Sequence, residues 1–259
     1  MIGVFFTVFA FFNLFFVWAL IKKDFSVIDI AWGLSYLLIF ISSGYFVGDE
    51  LSLREGVIGL LVMIWALRLS GYIFYRSTKT KTEDYRYAAW REEWGEKANQ
   101  TAYKRVYMLQ AVLSLVMASP LILIHFYSDN QSFGTVFDYI GITIWVIGFL
   151  FEAIGDYQKH VFKSREENRG KVLRTGLWQY TRHPNYFGEV LLWWGIFFLI
   201  INEVPFYFAI FGPLFTTFLI LKVSGVAMLE KKYESNKEYD EYKNVTNTFF
   251  PWFPRQKRS

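Results

Sequence analysis

Seven apolar stretches, each about as long as a bilayer core is thick, run through this chain of 259 residues and dictate most of what it can become. They are Ile2 to Ile21, Val27 to Val47, Gly56 to Phe74, Tyr107 to Phe126, Val136 to Ile154, Pro184 to Ile201 and Pro205 to Val223. About 20 predominantly apolar residues are needed to cross the hydrocarbon, and a segment in lipid must satisfy its own backbone, so each stretch reads as a transmembrane helix. Gly48-Asp49-Glu50, Ser128-Asp129-Asn130 and Asn202-Glu203 set the cuts between them, because such groups are costly in hydrocarbon. Composition agrees: 54% hydrophobic and 21% aromatic against 19% charged is too oily for a soluble domain of this length. With no linker rich in Pro, Gly or Ser, residues 1–259 read as one all-α integral membrane domain.

Lysine and arginine fix the orientation. All of the 27 except Arg54 and Arg68 fall in Lys22-Lys23, between Arg76 and Arg105, between Lys159 and Arg182, or from Lys222 onward. Basic residues accumulate in cytoplasmic loops, so the amino end is expected outside and the carboxyl end inside, as in a bacterial inner membrane protein. The same placement accounts for the basic excess without nucleic-acid binding. Cysteine is absent, which removes disulfides and thiolate chemistry, and three histidines (His125, His160, His183) argue against a zinc cage. No basic flank precedes the first stretch and no small-residue cleavage site follows it, so it is expected to be a retained span.

Three cytoplasmic segments exceed what a connector requires. Residues 83–95 mix aromatics with both charge signs and predict a short helix at headgroup level. Asp84, Tyr85 and Arg86 are candidate ligand contacts there, against the plainer reading of an anchor built from Tyr87, Trp90 and Trp94. Beyond the fifth stretch, Glu152, Asp156, Lys159, His160 and Lys163 recur at steps of three and four, a polar stripe on one helical face. Its carboxylates call for a cation or a hydroxyl-rich ligand, the plainer reading being local pairing of Asp156 with Lys159 or His160. Third, Gly176 to Glu189 runs straight into the sixth stretch. Pro184 suits a helix's first turn, so a helix amino end with its free N–H groups faces the cytoplasm beside Arg182 and His183, a setting suited to phosphate. Asn185 and Glu189, four apart, line one face just below; the plainer reading has Arg182 reaching for the surface and Glu189 capping.

Thr181-Arg-His-Pro-Asn-Tyr-Phe-Gly-Glu189 resembles the C-terminal signature of the steroid 5α-reductase superfamily, in its bacterial branch known as DUF1295. Asp29-Ile-Ala-Trp-Gly33, Arg68-Leu-Ser70, Glu83-Asp-Tyr-Arg-Tyr87, Phe151-Glu-Ala-Ile-Gly-Asp156, Trp193-Trp-Gly195, Ser224-Gly225 with Glu230, and Phe249-Phe-Pro-Trp-Phe-Pro254 extend the likeness over nearly the whole chain. Arg-His-Pro alone also occurs in sterol reductases and isoprenylcysteine carboxyl methyltransferases; the set is specific to the branch.

The resemblance implies seven transmembrane helices with cytoplasmic cofactor-binding loops, and an enzyme that uses NADPH to saturate a carbon–carbon double bond conjugated to a carbonyl in a steroid-like or other lipophilic substrate. It implies cofactor contacts at Arg68, Asp156, Asn185 and Glu189. Asp84, Tyr85, Arg86, Glu152, Lys163, Tyr180, Arg182, His183, Tyr186 and Lys222 are grouped with them, and no metal is expected. The substrate end departs from the family. Where steroid reductases hold the enone oxygen with a glutamate on helix two and a tyrosine on helix three, this chain has Asp29 and Trp65. A protonated Asp29, Tyr36 or Tyr72 is the expected partner of that oxygen. The bilayer and a lipophilic small molecule are the expected partners, with no obligate protein partner. The rivals are an S-adenosylmethionine-dependent prenyl or lipid methyltransferase and a non-enzymatic transporter or scaffold, although no internal repeat of the transporter kind is visible.

Overall fold

The computed structural model describes residues 1–48, 50–80, 82–127 and 133–255, and every regular element among them is helical. Asp49 and Ser128-Asp129-Asn130, expected in turns, lie outside the described residues, as do Lys81, Lys257 and Arg258 of the basic count. In order the α-helices are α1 (Ile2–Lys22), α2 (Ile28–Val47), α3 (Leu53–Thr80), α4 (Tyr85–Trp94), α5 (Ala98–Ala102), α6 (Leu109–Met117), α7 (Ser119–Tyr127), α8 (Val136–Ser164), α9 (Pro184–Ile200), α10 (Phe206–Ala209), α11 (Phe211–Phe218), α12 (Gly225–Lys232) and α13 (Lys237–Val245).

Among the described residues, five helical runs are long and apolar enough to cross a membrane: Ile2–Lys22, Phe25–Val47, Leu53–Thr80, Val136–Ser164 and Phe206–Lys232. A sixth exists if Tyr85–Met117 and Ser119–Tyr127, bent by 45°, form one span. This is the pattern of a multi-pass membrane protein. The stretch expected as the fourth span is the one that bends. Pro120 lies in the first turn of α7, where its ring cannot donate back along the helix, and the ladder stops at Ala118. The stretch from Pro184 forms a shorter helix of 17 residues.

The chain forms two compact units, Met1–Phe133 with Asn202–Gly212 and Gly134–Ile201 with Pro213–Ser259. In the first, α2 is the hub, packing on α1, α3, α6 and α7. Gly33 lets α3 come close: a Cβ there would stand 2.6 Å from Ser70 Oγ, whose hydroxyl instead donates to the Ile30 carbonyl at 2.8 Å. Ser52 and Glu55 start α3 with reciprocal side-chain-to-backbone bonds, a capping box. Beside them Arg54 is ion-paired with Glu203, and His125 Nδ1 lies 2.8 Å from Glu55 Oε1, all four side chains buried. Charges so far from water persist only when paired.

In the second unit α8 begins at a capping box between Thr135 and Asp138 and then lies against α9 along a seam of glycines. Gly141, Gly148 and Gly155 recur every seven residues on α8, and Gly188 and Gly195 do so on α9. Cβ atoms built at Gly141 and Gly148 would stand 2.8 and 2.7 Å from the carbonyl oxygens of Gly195 and Gly188. Backbone meets backbone here, an approach only small residues permit. The seam continues to Gly155, opposite Pro184 and Asn185, and so sets where the amino end of α9 meets α8.

Candidate functional site

At that meeting point Asn185 Nδ2 donates to Asp156 Oδ1 at 3.1 Å. The structure thus brings together two residues expected to share a ligand, one from the stripe on α8 and one from the start of α9. The other Asn185 side-chain atom, Oδ1, is buried with no hydrogen-bond partner among the described residues. A buried amide oxygen left open is costly and uncommon, and it marks a position where a donor fits. Glu152, one turn before Asp156, is buried beside Gly188, while Glu189 is half-buried on α9. The α8 helix continues to Ser164 as the stripe required, leaving Lys163 exposed. Lys159 stands over the Trp178 ring at 5.5 Å, and Trp178 Nε1 donates to the Gly155 carbonyl, so the loop before α9 is docked on α8.

Arg182 and His183 do something other than the phosphate binding expected of them. The Arg182 guanidinium donates from Nε and Nη2 to the two oxygens of Glu230, from Nη1 to the carbonyls of Thr246 and Lys243, and from Nη2 to Thr248 Oγ1. All five of its N–H groups are engaged within the fold. His183 Nε2 lies 2.9 Å from Glu230 Oε1, and Tyr239 donates its hydroxyl to the same oxygen at 2.8 Å. Burial holds the His183 imidazole below the usual histidine range, outweighing its carboxylate neighbour, and pushes the Tyr239 phenol up. This knot ties the loop before α9 to α12, α13 and residues 246–248. The backbone adds Arg182 N to the Asn247 carbonyl and Trp252 N to the Tyr180 carbonyl, both at 2.9 Å. Arg182 and His183 therefore position the helix start. Tyr186 packs its ring on His183 with centroids 5.8 Å apart, and Lys222 is exposed in a π-helical turn, Leu219–Val223.

In the first unit Asp29 accepts from Arg86 Nη2 at 2.7 Å and from the Tyr87 hydroxyl at 2.6 Å. The geometry uses Asp29 as an acceptor, whereas the protonated Asp29 expected from sequence had to donate. Asp84 caps α4, taking the Arg86 backbone N–H and Nε on one oxygen, and the arginine charge and hydrogen bonds hold its carboxyl low against the opposing effect of burial. Glu83 pairs with Arg91, whose guanidinium lies 3.7 Å from the Phe25 ring centre, and accepts from Phe25 N. Together these clamp α4 onto the start of α2. Tyr87, expected to anchor at headgroup level, is buried in the clamp, while Tyr85 is exposed. Tyr36 is fully buried among aromatic rings, edge-on to Trp32 and Trp65 with its hydroxyl toward Met117 sulfur. Tyr72 is half-buried under Arg76, and Arg68 is half-buried on α3. Asp29 and Tyr36 lie two turns apart on α2, about 10 Å along its axis.

Residues 15–246 match the family described as Protein of unknown function (DUF1295). The chain belongs to the DUF1295 family. An uncharacterized protein of Schizosaccharomyces pombe is 24% identical over 261 residues, covering 90% of this chain and 70% of that protein. No solved structure matches. For this DUF1295 member the residues that sequence reasoning missed are Tyr239, Thr246 and Thr248, partners of the knot, and the glycine seam. The seam had a legible signal in its seven-residue spacing; the knot ties Arg182 and His183 to partners 47 to 66 residues away and had none.

Proposed function

We propose that this protein is an NADPH-dependent membrane reductase that saturates a carbon–carbon double bond conjugated to a carbonyl in a lipophilic substrate. The observation that carries the reading is the Asn185–Asp156 pair with its open amide oxygen, at a helix start fixed by the glycine seam and the Glu230 knot. These groups suit a nicotinamide and its ribose: Asn185 Oδ1 accepts from a carboxamide N–H, and Asp156 and Glu189 offer acceptors for hydroxyls. Lys163 and Lys222, both exposed and both in the expected set, are the cations proposed to meet phosphate. The bound nicotinamide supplies the hydride, and the protein's part is to orient it and exclude water. For charge developing on the carbonyl oxygen the proposed donor is a tyrosine hydroxyl, with Tyr36 and Tyr72 as the candidates. The reading includes seven spans, counting the bent pair and the 17-residue α9, with the amino end outside and the basic loops in the cytoplasm.

Thermal shift of the detergent-solubilised protein tests it, since a ligand binding only the folded state adds RT ln(1 + [L]/Kd). NADPH is expected to stabilise more than NADH or S-adenosylmethionine. Glu189→Gln is expected to weaken NADPH binding by about 10- to 150-fold, the worth of one charge-assisted hydrogen bond of roughly 1.5–3 kcal/mol, and Asn185→Leu by about 2- to 12-fold, the worth of a neutral one of roughly 0.5–1.5 kcal/mol. Stabilisation by S-adenosylmethionine alone would replace the reductase with a methyltransferase, and unchanged NADPH affinity in well-folded variants would remove both residues from the site.

A further inference from the structure

A second site lies in the first unit, between α4 and the π-helical turn Tyr103–Met108 that precedes α6. A cavity of about 490 Å³ opens there, walled by Trp90 and Trp94 on one side and by Lys104, Arg105 and Leu109 on the other, with Glu93 at its rim. The two indoles are stacked, 5.8 Å between centroids and 16° between planes. Lys104 and Arg105 are exposed and make no ion pair or hydrogen bond among the described residues, unlike Arg86 and Arg91 of the neighbouring clamp. A π turn projects side chains from positions an α-helix would place differently, and such turns gather at functional sites.

The lining runs from charged to apolar along one helical path. Lys104 and Arg105 are four to five residues ahead of Leu109, about 6–7 Å at the helical rise, and Leu109 opens the apolar α6. An amphiphile has that same gradient, a phosphate followed by glycerol and hydrocarbon. Indoles favour the boundary between the two, where an apolar ring meets a polar edge. Two cations against one carboxylate leave the cavity net positive, which favours an acidic headgroup over a zwitterionic one.

We propose that this cavity binds the headgroup of an acidic phospholipid, its phosphate on Lys104 and Arg105 and its glycerol against Trp90 and Trp94. The site uses none of the residues of the cofactor reading and stands or falls without it. The test is native mass spectrometry of the full chain released from detergent and titrated with phosphatidylglycerol or phosphatidylcholine. Phosphatidylglycerol is expected to bind more tightly. The double variant Lys104→Gln/Arg105→Gln is expected to lose about 30-fold of that affinity, each basic residue near an acidic surface being worth roughly fivefold, with a smaller loss for phosphatidylcholine, whose ammonium offsets its phosphate. Glu93→Gln is expected to tighten phosphatidylglycerol, because it removes the one repulsive charge. Equal phosphatidylglycerol affinity in the wild type and the double variant overturns the site. Tighter binding of phosphatidylcholine than of phosphatidylglycerol would mean that Glu93 holds an ammonium, and displacement by millimolar inorganic phosphate would mean that a bare anion suffices; either result overturns the acidic-lipid assignment.

Discussion

Replacing Gly148 by alanine should separate α8 from α9, and the size of the effect follows from the seam. A Cβ at Gly148 would sit 2.7 Å from the Gly188 carbonyl oxygen and 2.8 Å from Leu192 N, where ordinary contact begins at 3.4 Å. Both obstacles are backbone in the middle of a helix, so no side chain can swing aside and the helices must part by about 0.7 Å, the difference between 3.4 and 2.7 Å. Overpacking of this kind costs roughly 1–3 kcal/mol, about 2–12 °C in melting temperature for a chain of this size. Gly71 on α3 is the control, because nothing lies within 4 Å of a Cβ built there. Alanine at Gly71 should be neutral or stabilising by up to about 1 kcal/mol, from helix propensity alone. The assay is thermal unfolding of both variants in one detergent. If Gly148→Ala melts at or above Gly71→Ala, the two backbones are not in contact and the seam does not set the start of α9.

Three further outcomes are expected. Glu230→Gln removes the counterion of an almost buried Arg182 and should cost roughly 2–4 kcal/mol, less than a wholly buried pair because the Glu230 side chain is 22% exposed; Glu230→Asp should recover part of the lost melting temperature, and a wild-type melt for Glu230→Gln would dissolve the knot. The His183 imidazole sits below the histidine range when folded and near 6.5 when unfolded, so the unfolded chain binds the extra proton; stability should be full above about pH 6.5 and fall below it, by at most about 1.4 kcal/mol per pH unit, and His183→Gln should flatten that fall between pH 7.5 and 5.5. Reporters placed after Gly48 and after Arg255 should report opposite faces of the membrane, and a shared face would sink the seven-span arrangement.

The sequence made the spans legible because lipid imposes length and apolarity on every residue of a crossing, and the helical steps from Glu152 to Lys163 carried α8 correctly past its apolar part. Pro184 marked the start of α9 for the same local reason. The bend at Ala118 has its signal in Pro120. What stayed hidden were pairings across the chain. Arg182 and His183 look like an anion site until Glu230, Tyr239 and Thr248 are placed against them, and Asp29 looks like a lone buried acid until Arg86 and Tyr87, 57 and 58 residues later, arrive at it. Charge type and helix phase are local properties; which cation neutralises which carboxylate is decided by tertiary packing.

The pair between Arg54 and Glu203 bears on how the protein is made. Its two halves are 149 residues apart, so the arginine leaves the ribosome long before its carboxylate exists. Through the synthesis of α3 to α9 the first unit lacks the carboxylate that Arg54 meets in the finished fold, and it is complete only when the chain has returned with residues 202–212. The neighbouring Glu55 and His125 are in place earlier, yet a carboxylate already bonded to His125 and Ser52 is a poor substitute partner. The first unit is thus begun first and finished late.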